Sequence, residues 1–392
     1  MHDMASTVYT NKLESLLQAD RDQTRQLRQQ RFKEKINAFK GPLLLWGCGP
    51  LGRQIAGILK GTELRVEAFI DKNQELWGKT YQDYPIISPE ALQNESYRDA
   101  LVIISIYTSE PLRVLLSEWG ISFLTFPELA WGMPDHFLPH QCLEQPDALY
   151  SQPEAVRAGL AVWADDASRE EYLGQLQWRL TLDYGALPSH RSAKETYFPD
   201  RLITLKPNEH FVDCGAFDGD SIRELLKRTQ GRFKRITAFE PDSRNYERLT
   251  DYCRKIPYLF PEQIQLLNKA IGDKSTTGLL NATGTVGSAI GAVGAEIDID
   301  TLDNVLAHEA PTYIKMDIEG FEPLALKGGA KIIQKHRPIL AICLYHSFNH
   351  LWDIPNYLHA LVPDYKLYLS RHADECWESI CYAIPSFRMK SD

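Results

Sequence analysis

Phe211-Val-Asp-Cys-Gly-Ala-Phe-Asp-Gly-Asp220 decides how this chain is read. A short apolar run through Val212 passes into a turn holding Gly215 and Gly219, and helical periodicity begins near Ser221. Strand, glycine turn and helix in that order form the unit that receives nucleotide-type cofactors in doubly wound α/β folds. A second apolar run, Arg235-Ile-Thr-Ala-Phe-Glu240, closes on a carboxylate 21 positions after Gly219, where the next strand of such a sheet should end. A carboxylate there can accept hydrogen bonds from both hydroxyls of a ribose.

The charge of the turn narrows the ligand. A pyrophosphate favours the N-terminus of the helix but is repelled by nearby carboxylates. This turn carries Asp213, Asp218 and Asp220. S-adenosylmethionine has no phosphate and bears a sulfonium and an ammonium, so it is the cofactor that the acid-rich turn suits.

At 392 residues the chain is long enough for two domains, each with its own core. A net charge of −9 gives no global attraction to nucleic acid, which is therefore not expected as a partner. The seven cysteines form no CxxC pair and sit mostly in apolar runs, the pattern of reduced, buried thiols. No basic leader and no membrane-spanning run is seen, so a soluble cytoplasmic protein is expected.

Residues 1–40 form an expected helical segment, with Leu13, Leu16, Leu17, Leu27, Phe32, Ile36 and Phe39 at helical spacing, suited to packing on the next domain or in a homodimer. Residues 41–130 alternate apolar runs with helical patterns, which predicts a small, mostly parallel sheet. Its first turn, Gly47-Cys-Gly-Pro-Leu-Gly52, satisfies GxGxxG, and Asp71 stands 19 positions beyond Gly52. This turn holds no carboxylate and is followed by Arg53, so Gly47, Gly49, Gly52 and Asp71 make a candidate nucleotide or phosphate site. A nucleotide-sugar, an NAD-type ligand and a purely structural module all remain open for it. Through Phe69-Ile-Asp-Lys-Asn73 and Tyr84-Pro-Ile-Ile-Ser-Pro-Glu-Ala-Leu92 the segment resembles the small N-terminal Rossmann-like domains of sugar-modifying acyltransferases, which hold nucleotide-activated sugars. Residues 131–205 read as a proline-bearing linker and helical region, and residues 206–392 as the catalytic domain. The fold expected is α/β, with two Rossmann-like doubly wound domains in tandem.

The catalytic half resembles a known family. From about residue 154 to 385 the chain is similar to the FkbM S-adenosylmethionine-dependent methyltransferases, through the turn already quoted, Phe239-Glu-Pro241, Ala270-Ile-Gly272, Ile297-Asp-Ile-Asp-Thr-Leu-Asp303, Ile314-Lys-Met-Asp-Ile-Glu-Gly-Phe-Glu322 and Tyr345-His346. The resemblance implies a class I methyltransferase fold and O-methylation of a hydroxyl on a sugar, glycan, glycolipid, nucleotide-sugar or secondary metabolite. It implies cofactor contacts from Asp213, Gly215, Phe217, Asp218, Gly219, Asp220, Glu240, Pro241, Ala270, Ile271 and Asp317. The competing reading is an NAD(P)-dependent oxidoreductase, or a nucleotide-sugar-binding scaffold, acting through the first glycine turn.

The transferred methyl is already activated, so the acceptor hydroxyl mainly needs alignment and a base. Asp317 ends the apolar strand beginning at Tyr313, and His346 follows another, so both should open onto the crevice beyond the strand ends. The preferred base is His346 or Asp317. Lys315, on the same strand face as Asp317, pairs with it or orients the substrate, with Glu319 and Glu322 on the following loop. A divalent metal gathered by these carboxylates and the histidine is a second option, not favoured because no contiguous ligand motif is present. Residues 278–294, with Ser288, suit a flap over the cofactor, and Trp352, Trp377, Tyr345 and Tyr357 suit a sugar-stacking wall.

Overall fold

The computed structural model describes residues 2–140, 143–257, 259–281, 289–291 and 294–390. The chain groups into two compact units: 1–151 with 173–188 and 373–377, and 152–172 with 189–372 and 378–392. The region 131–205, expected as one linker and helical segment, is shared out between them. Among the described residues no helix is long and apolar enough to cross a membrane. The six described cysteines are free and buried, and Cys142 lies outside the described residues.

The first unit begins with two helices, His2–Leu17 and Arg21–Ala38. Leu13 and Phe32 are buried as their spacing predicts, but Leu27 is 51% exposed and Arg28 is buried in its place. The Arg28 guanidinium donates to the carbonyls of Arg179 and Leu180 and lies over the Trp131 ring, so its charge is satisfied where its stem packs. Six strands follow: β1 (Leu43–Trp46), β2 (Val66–Ile70), β3 (Thr80–Tyr81), β4 (Tyr84–Ile87), β5 (Leu101–Ile104) and β6 (Ser122–Thr125). Their order is β3-β4-β2-β1-β5-β6, parallel except at β3. Every side chain of β1 and β5 is buried, which explains their unbroken apolar runs: a parallel strand covered on both faces has no polar side to alternate.

The second unit contains β7 (His210–Cys214), β8 (Arg235–Phe239), β9 (Ile264–Leu267), β10 (Ala270–Ile271), β11 (Thr276–Asn281), β12 (Ala289–Gly291), β13 (Ala295–Asp300), β14 (Tyr313–Met316), β15 (Ile339–Cys343), β16 (Tyr365–Arg371) and β17 (Ser379–Pro385). The main sheet has the order β16-β17-β15-β14-β7-β8-β9, five parallel strands closed by the antiparallel hairpin β16-β17. A smaller sheet, β10-β13-β11-β12, is inserted between β9 and β14. Of the expected flap, residues 282–288, including Ser288, and 292–293 lie outside the described residues, while the rest belongs to β11, β12 and the residue before β13.

This topology positions the site. The chain leaves β7 toward β8 and β9, then returns to pair β14 on the opposite side of β7. The order reverses between β7 and β14, and in open parallel sheets the ligand crevice lies beyond the carboxyl ends of the strands at that point. The aromatic core beneath it, Phe198, Phe211 and Tyr313, stacks with ring centroids 5.4–5.7 Å apart.

Candidate active site

Beyond β7 the turn takes the left-handed conformation at Gly215 (φ +86°), Phe217 (φ +46°) and Gly219 (φ +89°), and Gly219 is the N-cap of the helix Asp220–Thr229. A Cβ on Gly215 would stand 1.9 Å from the Asp317 carbonyl oxygen, so glycine alone lets the β7 turn approach the end of β14. Glu240, directly after β8, fastens this turn to the next one. Its carboxylate accepts the Phe217 N–H at 2.8 Å and the Asp242 N–H at 2.9 Å. Two lone-pair directions remain for a ligand. Burial pushes this carboxyl up to about 7 against the pull of those two backbone donors.

The three aspartates of the turn do not act as free charges. Asp213 is fully buried, with Oδ1 3.1 Å from Lys315 Nζ and Oδ2 accepting the Ser221 hydroxyl. Asp218 faces Arg223 at 3.7 Å, and Asp220 folds back onto the Ser221 N–H. Of the expected carboxylates, Asp213 is thus taken up as the anchor of the turn, while Asp218 is half-buried and Asp220 exposed. Lys315, expected to pair with Asp317 or to orient the substrate, is only 2% exposed. Its ammonium also donates to the Gly215 carbonyl and lies over the Tyr197 ring, and Asp213 with Asp317 keeps it charged against the cost of burial. It ties β14 to the turn instead of facing a ligand.

Ala270 and Ile271, expected at the adenine, form β10 and are buried. Asn268, just before them, was not singled out from sequence. Its amide donates to the carbonyls of Glu240 and Pro241, joining the ends of β8 and β9. Trp352, expected in a sugar-stacking wall, is fully buried against Phe348 in the core, and Trp377 belongs to the first unit, where it meets Tyr107 and donates to Glu375.

A second group of side chains gathers at the ends of β14 and β15. Asp317 accepts hydroxyl hydrogen bonds from Tyr197 (2.7 Å) and Tyr345 (3.1 Å). His346 is 1% exposed at its side chain, with Nδ1 2.8 Å from Glu322 Oε1 and Nε2 3.4 Å from both Asp317 Oδ1 and Glu319 Oε2. Glu322 opens the helix Glu322–Gly328 and also accepts the Ile318 N–H. Glu378 precedes β17, which runs antiparallel to β15, so it reaches the same end of the sheet. Burial would lower the His346 pKa, but Glu322, Asp317 and Glu319 carry it up to about 9. Burial pushes Glu319 up to about 8 and, with Asp317 nearby, Glu378 up to about 7. Burial also opposes the charge on Asp317, but Lys315 and His346 hold it below the usual carboxylate range. Tyr197 and Glu378 carry no local motif. Only the rule that strand ends of one sheet converge could have drawn attention to Glu378.

The first unit repeats the device on a smaller scale. Asp71, directly after β2, accepts the N–H groups of Cys48 and Asn73, both at 2.9 Å, and so fastens the glycine turn after β1. A Cβ on Gly52 would stand 1.9 Å from the Gly47 carbonyl oxygen, whereas one on Gly49 would meet nothing within 4 Å. Gly49 begins the helix Pro50–Leu59 without a side-chain cap, and Arg53 is held back by the Cys48 carbonyl and the Tyr81 ring.

A glycine turn fastened by a buried carboxylate just after the next strand, and a polar cluster across the switch point, stand on a sheet of the Rossmann-like methyltransferase kind. Residues 213–373 match the family model of the methyltransferase FkbM domain, and residues 40–123 match a model described as C2185-like, N-terminal. The crystal structure of methyltransferase FkbM from Methylobacillus flagellatus is similar over 97% of this chain and 99% of its own, with a TM-score of 0.72 at 23% identity, so the fold is shared across both units. Two partial likenesses bear on nothing further: UDP-D-quinovosamine 4-dehydrogenase from Vibrio fischeri (24% identity, 22% of this chain and 77% of its own, TM-score 0.20) and fibrillarin from Methanococcus jannaschii (13% identity, 48% and 72%, TM-score 0.29). No curated protein matches the chain.

Proposed function

We propose that this chain transfers the methyl group of S-adenosylmethionine to a hydroxyl oxygen of a carbohydrate or glycosylated acceptor. The observation that carries the proposal is Glu240, a buried carboxylate latched to the Phe217 N–H of the glycine turn with lone pairs left for a ribose. In this reading Gly215, Phe217, Asp218, Gly219 and Asp220 wrap the cofactor, mainly through backbone, while Pro241, Ala270 and Ile271 lie on its adenine side. Asp213 and Lys315 are positioning residues beneath it. The reaction is an in-line displacement at sulfonium carbon, in which alignment contributes roughly 7 to 11 kcal/mol. Removing the acceptor proton falls to Asp317, the member of the cluster held ionised, a contribution of about 10²- to 10⁴-fold.

Calorimetric titration with S-adenosylhomocysteine tests the cofactor assignment. One site per chain is expected, weakened in Glu240→Ala; absence of binding by the wild-type chain removes the proposal. The first glycine turn supports a subsidiary reading. The open space in front of Gly49 and the uncapped helix behind it suit the phosphate of a nucleotide-linked part of the acceptor. The oxidoreductase alternative needs NAD(P)H at that turn, and fluorescence titration with NADH discriminates between the two.

A further inference from the structure

We propose that Asp317 and His346, with Glu319 completing the set, hold a divalent cation that binds the acceptor hydroxyl; the site rests on the transfer reading above for its use but not for its existence. The argument begins with the imidazole. Glu322 Oε1 lies 2.8 Å from Nδ1, and an ionised carboxylate only accepts, so Nδ1 carries the hydrogen. That leaves Nε2 facing Asp317 Oδ1 and Glu319 Oε2, at 3.4 Å from each. Among the described residues neither Nε2 nor Glu319 Oε2 has a hydrogen-bond partner, although the histidine side chain is 99% buried. A proton on Nε2 lies too far from either carboxylate to bond well, and a metal ion taking its place would displace it.

The spacing fits a cation. A charge-assisted N–H···O bond is about 2.7–2.9 Å long, so 3.4 Å is too long for a good one. Two ligand atoms that share a metal through bonds of about 2.0–2.2 Å stand about 3.4 Å apart at a tetrahedral angle. Asp317, Glu322 and His346 each place an oxygen or nitrogen within 4.8 Å of the others, with Glu322 seated on Nδ1. Glu322 then takes the place of the outer carboxylate that orients a metal-bound imidazole and raises its donor strength.

The local charge agrees. Asp317, Glu319 and Glu322 face one imidazole, and Glu378 bears on the same group. One nitrogen with two or three carboxylate oxygens suits Mn²⁺, Fe²⁺ or Zn²⁺. The open coordination positions would accept the acceptor oxygen and lower its pKa. With the hydroxyl so acidified, the O–H bond breaks with its proton passing to water, and Asp317 serves as a ligand in place of its role as base. The freed lone pair forms the new C–O bond, and the C–S electron pair stays on sulfur as neutral S-adenosylhomocysteine departs.

The test uses the full chain and Mn²⁺ alone as the probe. Electron paramagnetic resonance titration should find one Mn²⁺ per chain, and spin-echo modulation should show coupling to ¹⁴N. His346→Gln should abolish that coupling and weaken binding by about tenfold or more, with Glu319→Gln weakening it too. No stoichiometric binding up to about 1 mM, binding without nitrogen coupling, or binding unchanged in His346→Gln overturns the site. If a variant fails to fold, the wild-type ¹⁴N coupling alone decides. A parallel titration with S-adenosylhomocysteine separates the claims: cofactor binding without Mn²⁺ removes the cation site and keeps the transferase, and Mn²⁺ binding without cofactor does the reverse.

Discussion

Lys315 Nζ lies 3.1 Å from Asp213 Oδ1, with the two side chains 2% and 0% exposed. The pair joins neighbouring parallel strands, β7 and β14, at the point where the sheet reverses its order. Removing one partner leaves a buried charge uncompensated, which costs about 3–5 kcal/mol, whereas replacing both by apolar residues is often close to neutral. Lys315→Met and Asp213→Asn should therefore each lower stability by that amount in equilibrium urea unfolding. The double variant Lys315→Met with Asp213→Leu should recover most of the loss. A loss in the double equal to the sum of the two single losses would show that the pair does not act as a unit.

Glu240 sets a pH dependence with a definite sign. Its folded pKa is raised from an ordinary 4.5 to about 7, so its contribution to stability is full below pH 4.5 and is lost as pH rises through 7, roughly 3 kcal/mol in all. The ligand reverses the trend, because ribose hydroxyls bond best to the ionised form. Affinity for S-adenosylhomocysteine should rise between pH 6 and pH 8 in the wild type and stay flat in Glu240→Gln. At pH 8 that variant should bind about 10- to 100-fold more weakly, as expected for losing hydrogen bonds to a charged acceptor. Calorimetry at three pH values checks both statements.

What could be read from the sequence follows from how local each feature is. Gly215 and Glu240 were legible because the order of strand, turn, helix and strand is covalent, and 21 residues of spacing fix which strand end meets which turn. Asp317 and His346 were legible as strand ends. The charge of the turn was legible only in part, because the partner that neutralises Asp213 is a lysine about a hundred positions away on another strand, while Asp220 stays exposed. Glu378 and Tyr197 were illegible for a related reason. One arrives through the antiparallel hairpin β16-β17 and the other from the segment before β7, and neither sits in a pattern that marks it.

Gly215→Ala tests the close approach of β7 to β14. The residue sits at φ +86°, and its new Cβ would fall 1.9 Å from a backbone oxygen that cannot move without shifting the end of β14. Strain and overlap together should cost at least about 2 kcal/mol. The same shift would move Asp317 away from Tyr197 and Tyr345. Thermal unfolding should show the destabilisation, and S-adenosylhomocysteine should bind more weakly even at a temperature where the variant remains folded. A variant with wild-type unfolding would mean that the turn has room to relax.

In the first unit, two glycines of one motif should behave oppositely. Gly52→Ala drives a methyl group to 1.9 Å from the Gly47 carbonyl oxygen, so the helix Pro50–Leu59 must lift from β1, and stability should fall by about 1–3 kcal/mol. Gly49 has φ −81° and open space before it, so Gly49→Ala should leave unfolding unchanged within about 0.5 kcal/mol. If a nucleotide phosphate approaches the backbone there, the same methyl group stands in its way. Titration with UDP should then show binding to the wild type and at least tenfold weaker binding to the stable Gly49→Ala chain. No binding to the wild type, or equal binding to both, would make the turn a purely structural copy of the one that Glu240 fastens in the second unit.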